Sequence, residues 1–162
     1  MKTKVLLAVL VLAGLVSSAT AQNLGVRALG IRGGGNINPD QVNVGLHIDA
    51  GTFHPKVRFQ PSFDFGFGDG TKLIMANIDA LYLFRARPWR PYLGGGLGIS
   101  FFDKTGDHHG NGFDAGAALN LIGGIEWGKP PRGARSSARY LFEVRIGVGD
   151  APDLKLVFGF NI

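Results

Sequence analysis

The sequence has 162 residues, 26 of them glycine and none cysteine, with 18% charged side chains, a formal charge of +5 and a pI near 9.8. That length points to one domain, and the lack of cysteine excludes a disulfide framework and cysteine metal ligands. The basic residues are scattered rather than gathered on one helix or motif, which argues against nucleic acid as a partner.

Residues 1–21 read as an export signal. MKTK is a basic start, VLLAVLVLAGLV an apolar stretch, and Ala19-Thr20-Ala21 a small-residue cleavage site that leaves Gln22 as the new terminus. The apolar run is too short for a transmembrane helix. Loss of Lys2 and Lys4 takes the charge from +5 to +3.

From there the chain alternates with a period of two and shows no competing helical period. Strands are predicted over 24–33, 41–51, 56–67, 72–86, 90–102, 112–127, 138–149 and 153–162, separated by turn-forming segments such as FHP, GDG, DKTGDHHGN, KPPRGARSS and DAPD. The first strand has the weakest pattern. In the second, Val42, Val44, Leu46 and Ile48 alternate with Gln41, Asn43, His47 and Asp49. In the third, Phe59, Phe63, Phe65 and Phe67 alternate with Arg58, Gln60, Ser62 and Asp64, and Pro61, which cannot donate to a ladder, predicts a bulge. The sequence finishes on LKLVFGFNI, apolar at every second position. Eight short-linked strands form an antiparallel meander whose two edges would aggregate unless they pair, so the last strand is expected to close onto the first.

Three features decide which face points inward. The apolar face carries Phe59, Phe63, Phe65, Phe67, Phe101, Phe158 and Phe160, too much volume for a lumen that eight strands make just wide enough to fill. The polar face carries Gly94, Gly96 and Gly98, which make room for large neighbours. It also balances Arg27, Arg58, Arg85, Arg145 and Lys155 against Asp49, Asp64, Asp79, Asp114, Glu126 and Glu143, as a buried lumen requires. With both termini at the periplasmic end, Tyr82, Trp89, Tyr92, Trp127 and Tyr140 fall near that end, and phenylalanines mark the other. Two aromatic belts flanking an apolar band suit a bilayer. The aromatic belt is assigned to Tyr82, Trp89, Trp127 and Tyr140. Arg27, Asp49, Arg58, Asp79, Arg85, Glu126, Glu143 and Arg145 are expected to form one interior ion-pair network that plugs the lumen.

The residues offer little chemistry. His47 and the serines Ser62 and Ser100 point inward, His54 lies in a periplasmic turn, and His108 and His109 sit in an outer loop with Asp103 and Asp107. That loop has no standard ligand spacing and reads as solvated turn residues. Only a Ser100–His108 pairing offers a hydrolytic route, and geometry rather than residue type would define it. Gly94-Gly95-Gly96-Leu97-Gly98 is followed by no helix, so it is not a phosphate loop. No catalytic, cofactor or metal site is expected. The periplasmic turns carry Lys56, Arg87, Arg90, Lys129, Arg132, Arg135 and Arg139, whereas the outer loops carry Asp40, Asp69, Asp103, Asp107, Asp150 and Asp153 against Lys72 and Lys104.

The segments PSFDFGFGDG, RPYLGGGLGIS, GFDAGAALNLIGGIEW and the closing strand resemble the small bacterial outer-membrane β-barrel family related to the transmembrane domain of OmpA and to OmpX. The resemblance spans the mature chain, 22–162, and implies an all-β, eight-stranded antiparallel up-and-down transmembrane barrel in the bacterial outer membrane. It implies contact with outer-membrane lipids and insertion by the outer-membrane assembly machinery, which reads the C-terminal strand, here Phe158, Phe160 and Ile162. The family usually ends in phenylalanine, and Ile162 departs from that. The expected function is a monomeric, non-catalytic barrel in envelope structure or surface interaction. The alternatives are a soluble calycin-like barrel binding an apolar ligand and an outer-membrane lipid-modifying enzyme.

Overall fold

The computed structural model describes residues 23–68, 70–86, 88–104, 114–128 and 138–162. The expected export signal, the loop with His108 and His109, and the basic segment 129–137 lie outside them.

Eight strands follow in order: β1 (Asn23–Ile37), β2 (Gln41–His54), β3 (Val57–Gly68), β4 (Thr71–Leu83), β5 (Trp89–Lys104), β6 (Asp114–Trp127), β7 (Arg139–Gly149) and β8 (Leu154–Asn161). Each pairs antiparallel with the next, and β1 pairs with β8, closing a barrel. The closing ladder runs from Gly30 opposite Asn161 to Ile37 opposite Leu154. Beyond it, the Leu29 and Ile162 backbones exchange hydrogen bonds of 3.2 and 2.8 Å. Among the described residues no strand is left as an edge, which is the physical solution to the aggregation hazard of an open meander.

The stagger of the barrel follows from the registers. Stepping from Leu83 through Tyr92, Gly124, Glu143, Val157, Gly34, Asn43 and Gly66 returns to β4 at Leu73, ten residues from the start. A shear of that size on eight strands goes with a tilt of roughly 35–45° and a lumen that side chains fill.

Three boundaries differ from the sequence reading by more than two residues, one of them the end of β2, which runs on to His54 rather than stopping at 51. β1 continues to Ile37, four residues beyond its predicted end, because its glycine triplet joins both ladders: Gly33 is opposite Val44 and Phe158. Any side chain on Gly34 would run into the β8 backbone at Leu156, so the small residues there permit the seam. β4 ends at Leu83, and 84–86 belong to no regular element. The irregularity at Pro61 is a bulge on the opposite strand. Between the pairs His47–Ser62 and Thr52–Arg58, β2 contributes 48–51 and β3 only 59–61. Gly51 takes φ +88° there, and its N–H donates to Asp49 Oδ1 at 3.0 Å.

The faces are sorted as in a membrane barrel. Val42, Val44, Leu46, Phe63, Phe65, Leu119, Leu121 and Phe158 are exposed on the outer wall, whereas Arg32, Asp64, Asp79, Glu143 and Arg145 are buried inside. A soluble calycin-like barrel needs the opposite arrangement, so that alternative does not fit this fold.

Candidate functional site

The features that distinguish this barrel lie in its lumen and at the end that carries Asn23 and Ile162, here called the base. The other end, with the 38–40 and 150–153 turns and Gly70, is the mouth.

Two groups of ion pairs cross the lumen. In the central group, Arg32 grips Asp64 with two nitrogens, Nε to Oδ1 at 2.8 Å and Nη2 to Oδ2 at 2.6 Å, a charge-assisted fork. Lys155 Nζ meets the same carboxylate at 2.7 Å. Arg145 spans Glu143 at 2.7 Å and Asp79 at 2.8 Å, Tyr92 donates its hydroxyl to Glu143 at 2.9 Å, and Arg32 approaches Glu143 at 3.7 Å. Three cations, Arg32, Arg145 and Lys155, thus face three anions, Asp64, Asp79 and Glu143. The balance matters because an unpaired charge at this depth costs several kcal/mol.

The second group sits toward the base. Arg58 bonds both oxygens of Glu126, one of them at 3.1 Å, and its Nε reaches Asp49 at 3.1 Å. Glu126 also receives Arg90, whose Nε lies at 3.1 Å, and Arg139 at 3.4 Å. Among the described residues three guanidiniums therefore share two carboxylates. Leu81, Tyr92 and Ile122 form an apolar layer between the two groups: Leu81 is opposite Arg58 and Ile122 opposite Arg145 in the ladders.

One side of the mouth is apolar inside, whereas Asn36, Gln41 and Asn43 are buried and hydrogen-bonded on the β1–β2 side. Leu73, Met75 and Ala118 pack with Ala151, and Phe102 leans on them. Ala151 belongs to the β7–β8 turn, which folds into the opening. Ser100 donates its hydroxyl to the Asp150 carbonyl, the Gly147 N–H to the Asp153 carbonyl at 3.1 Å, and Asn38 Nδ2 to Asp153 at 2.7 Å.

The inward glycines make these contacts possible. A Cβ on Gly96 would strike the Asp79 carboxylate, and one on Gly124 the Tyr92 ring. Each marks a place where a long side chain from the next strand crosses.

The structure thus brings together Asp49, Arg58 and Glu126 in one group and Asp79, Glu143 and Arg145 in another, so the single network expected from sequence is two. Arg27 and Arg85 belong to neither. The inward phase of β1 falls on Gly30, Arg32, Gly34 and Asn36, which puts Arg27 on the exposed side, past a register break between Leu24 and Ala28. Arg85 lies beyond the end of β4 and is exposed. Arg32, Asp64, Lys155 and Tyr92 complete the central group and were not assigned to it. Tyr92 is a correction of its own: it faces the lumen rather than the belt. His47, also buried, pairs with Asn161 across the β1 seam.

Outside, Trp89, Trp127, Tyr140 and Phe160 lie opposite one another on consecutive strands from β5 to β8, with ring centroids 5.5, 6.1 and 5.2 Å apart. Phe158 abuts Trp127 at 5.7 Å. Tyr82 packs edge-on against Phe84 at 5.1 Å, under Lys56 at 5.7 Å. All these rings are at the base. Among the described residues no group of three His, Asp or Glu could hold a metal; His108 and His109 lie outside those residues.

Neither a protein-family model nor a curated protein sequence matches the chain. Several solved structures share its fold. Neisserial surface protein A, NspA, superimposes with a TM-score of 0.57 at 14% identity, over 83% of this chain and 94% of that one. The N-terminal β-barrel domain of Pseudomonas aeruginosa OprF gives 0.54 at 16% identity, over 85% and 99%. The chain therefore has the eight-stranded up-and-down barrel fold of these proteins.

Proposed function

We propose that this chain is exported by residues 1–21 and works as a non-catalytic, monomeric outer-membrane barrel in envelope structure or surface interaction, its lumen plugged by the two ion-pair groups. The observation that carries this reading is the inverted polarity of the barrel. An apolar wall with an aromatic belt faces outward, and balanced charge faces inward, the arrangement that lipid outside demands. One structural neighbour is itself a surface protein, which supports the same placement. In this orientation the base lies at the periplasmic leaflet, the mouth at the cell surface, and Phe158, Phe160 and Ile162 form the strand offered to the assembly machinery. The hydrolytic alternative is weakened by Ser100, whose hydroxyl points into the lumen and is engaged by Asp150; Ser62 is likewise taken by Arg32.

Cell fractionation tests the reading. The protein should sediment with outer membranes, resist extraction by high salt, and run differently on gels with and without boiling. Recovery as a soluble periplasmic protein would overturn it.

A further inference from the structure

A cleft of about 480 Å³ opens at the base between the β2–β3 turn and the segment that follows β4. Leu83 N–H donates to the Lys56 carbonyl at 2.7 Å and Phe84 N–H to the Pro91 carbonyl at 3.0 Å, so the backbone on both sides is fixed. Lys56, Arg85 and Arg90 line the cleft together with Leu83 and Phe84, and among the described residues no acidic side chain does. Arg90 is committed to Glu126. Lys56 and Arg85 make no ion pair with any described residue.

The position of these cations identifies their ligand. Lys56 Nζ stands over the ring of Tyr82, which faces outward and packs on the exposed Phe84. The charge is therefore held on the outer perimeter of the barrel, level with the aromatic belt, and not over the lumen. A cation there meets headgroups, and an apolar wall directly below it meets acyl chains.

We propose that this cleft binds the phosphodiester headgroup of an anionic glycerophospholipid of the periplasmic leaflet. Lys56 and Arg85 contact the phosphate oxygens, Arg90 adds field from its place beside Glu126, and Phe84 and Leu83 take up the start of the acyl chains. The site rests on the outer-membrane reading above and deepens it by naming a lipid class and the residues that select it.

The test uses the barrel extracted from the membrane fraction and moved into nanodiscs of mixed phosphatidylglycerol and phosphatidylcholine, with retained lipids counted by native mass spectrometry. Phosphatidylglycerol should be retained over phosphatidylcholine by roughly fivefold for each of the two unpaired cations. In a K56Q/R85Q double variant the ratio should fall to that of the bulk lipid, while K72Q at the mouth should keep it. Excess inorganic phosphate should not displace the lipid. Equal retention of the two lipids, an unchanged ratio in K56Q/R85Q, or displacement by inorganic phosphate would each overturn the proposal while leaving the membrane barrel intact. A protein that does not enter nanodiscs at all would overturn the outer-membrane reading and this site with it.

Discussion

Arg145 answers two carboxylates at once, Glu143 and Asp79, and all three side chains are almost fully buried. Its truncation leaves two anions facing two remaining cations, Arg32 and Lys155, that are already engaged by Asp64. Breaking a dry buried pair costs about 3–5 kcal/mol, and less where water enters. Arg145→Ala should therefore lower the thermal unfolding midpoint in detergent well below the wild-type value, and Glu143→Gln should do so more mildly. Arg85→Ala, at an exposed position, should stay within about 0.5 kcal/mol of wild type. Gly124→Val should fail by a different mechanism, because its side chain would occupy the space of the Tyr92 ring; overpacking of that kind costs about 1–3 kcal/mol. The same unfolding scan reads it, and a midpoint equal to wild type would mean that Tyr92 has another place to go. At this scale the sequence was half legible. Arg58, Glu126, Glu143 and Arg145 sit in strands whose large apolar residues mark the phase. Arg32 was missed because Gly30 and Gly34 on either side of it carry no hydrophobic signal. Tyr92 was misassigned because a tyrosine near a barrel end reads equally well as a belt residue or as a lumen residue with a polar handle.

The seam joins the element with the clearest pattern, β8, to the one with the weakest, β1. β8 alternates Lys155, Val157, Gly159 and Asn161 inward with Leu156, Phe158 and Phe160 outward, and its extent was predicted to within a residue. β1 was cut short because GGGNI resembles a turn in sequence, although Gly33, Gly34, Gly35 and Asn36 each find partners on both sides in the closed barrel. Strand pairing overrides local propensity there. The seam gives a prediction about assembly. Deleting residues 160–162 removes the pairs Gly30–Asn161 and Ile31–Phe160 and both backbone bonds between Leu29 and Ile162. Backbone groups without partners in lipid cost several kcal/mol each. The shortened protein should not reach the form whose gel mobility changes on boiling, and normal mobility and insertion would show that β8 does not depend on its last residues for closure.

The whole molecule is a barrel turned inside out relative to a soluble one, and that inversion could be read from the chain. Phenylalanines recur on one face of the strands, and glycines with balanced charge on the other. The division of the interior into two ion-pair groups with Leu81, Tyr92 and Ile122 between them could not. Its contacts join residues far apart in sequence, Asp79 to Arg145 and Asp64 to Lys155. Which side chains meet across the lumen is set by the ten-residue stagger, which alternation within a strand does not encode. On the proposed function these two groups, the apolar layer and the inward-folded β7–β8 turn together fill the lumen. Single-channel recording of the wild-type protein in planar bilayers, with insertion verified by the boiling-dependent gel shift, tests it most directly. The expected result is an inserted barrel with no steady open conductance, and Arg145→Ala should not open a large channel because the neighbouring side chains still occupy the cross-section. A sustained open conductance from the unmutated barrel would contradict it.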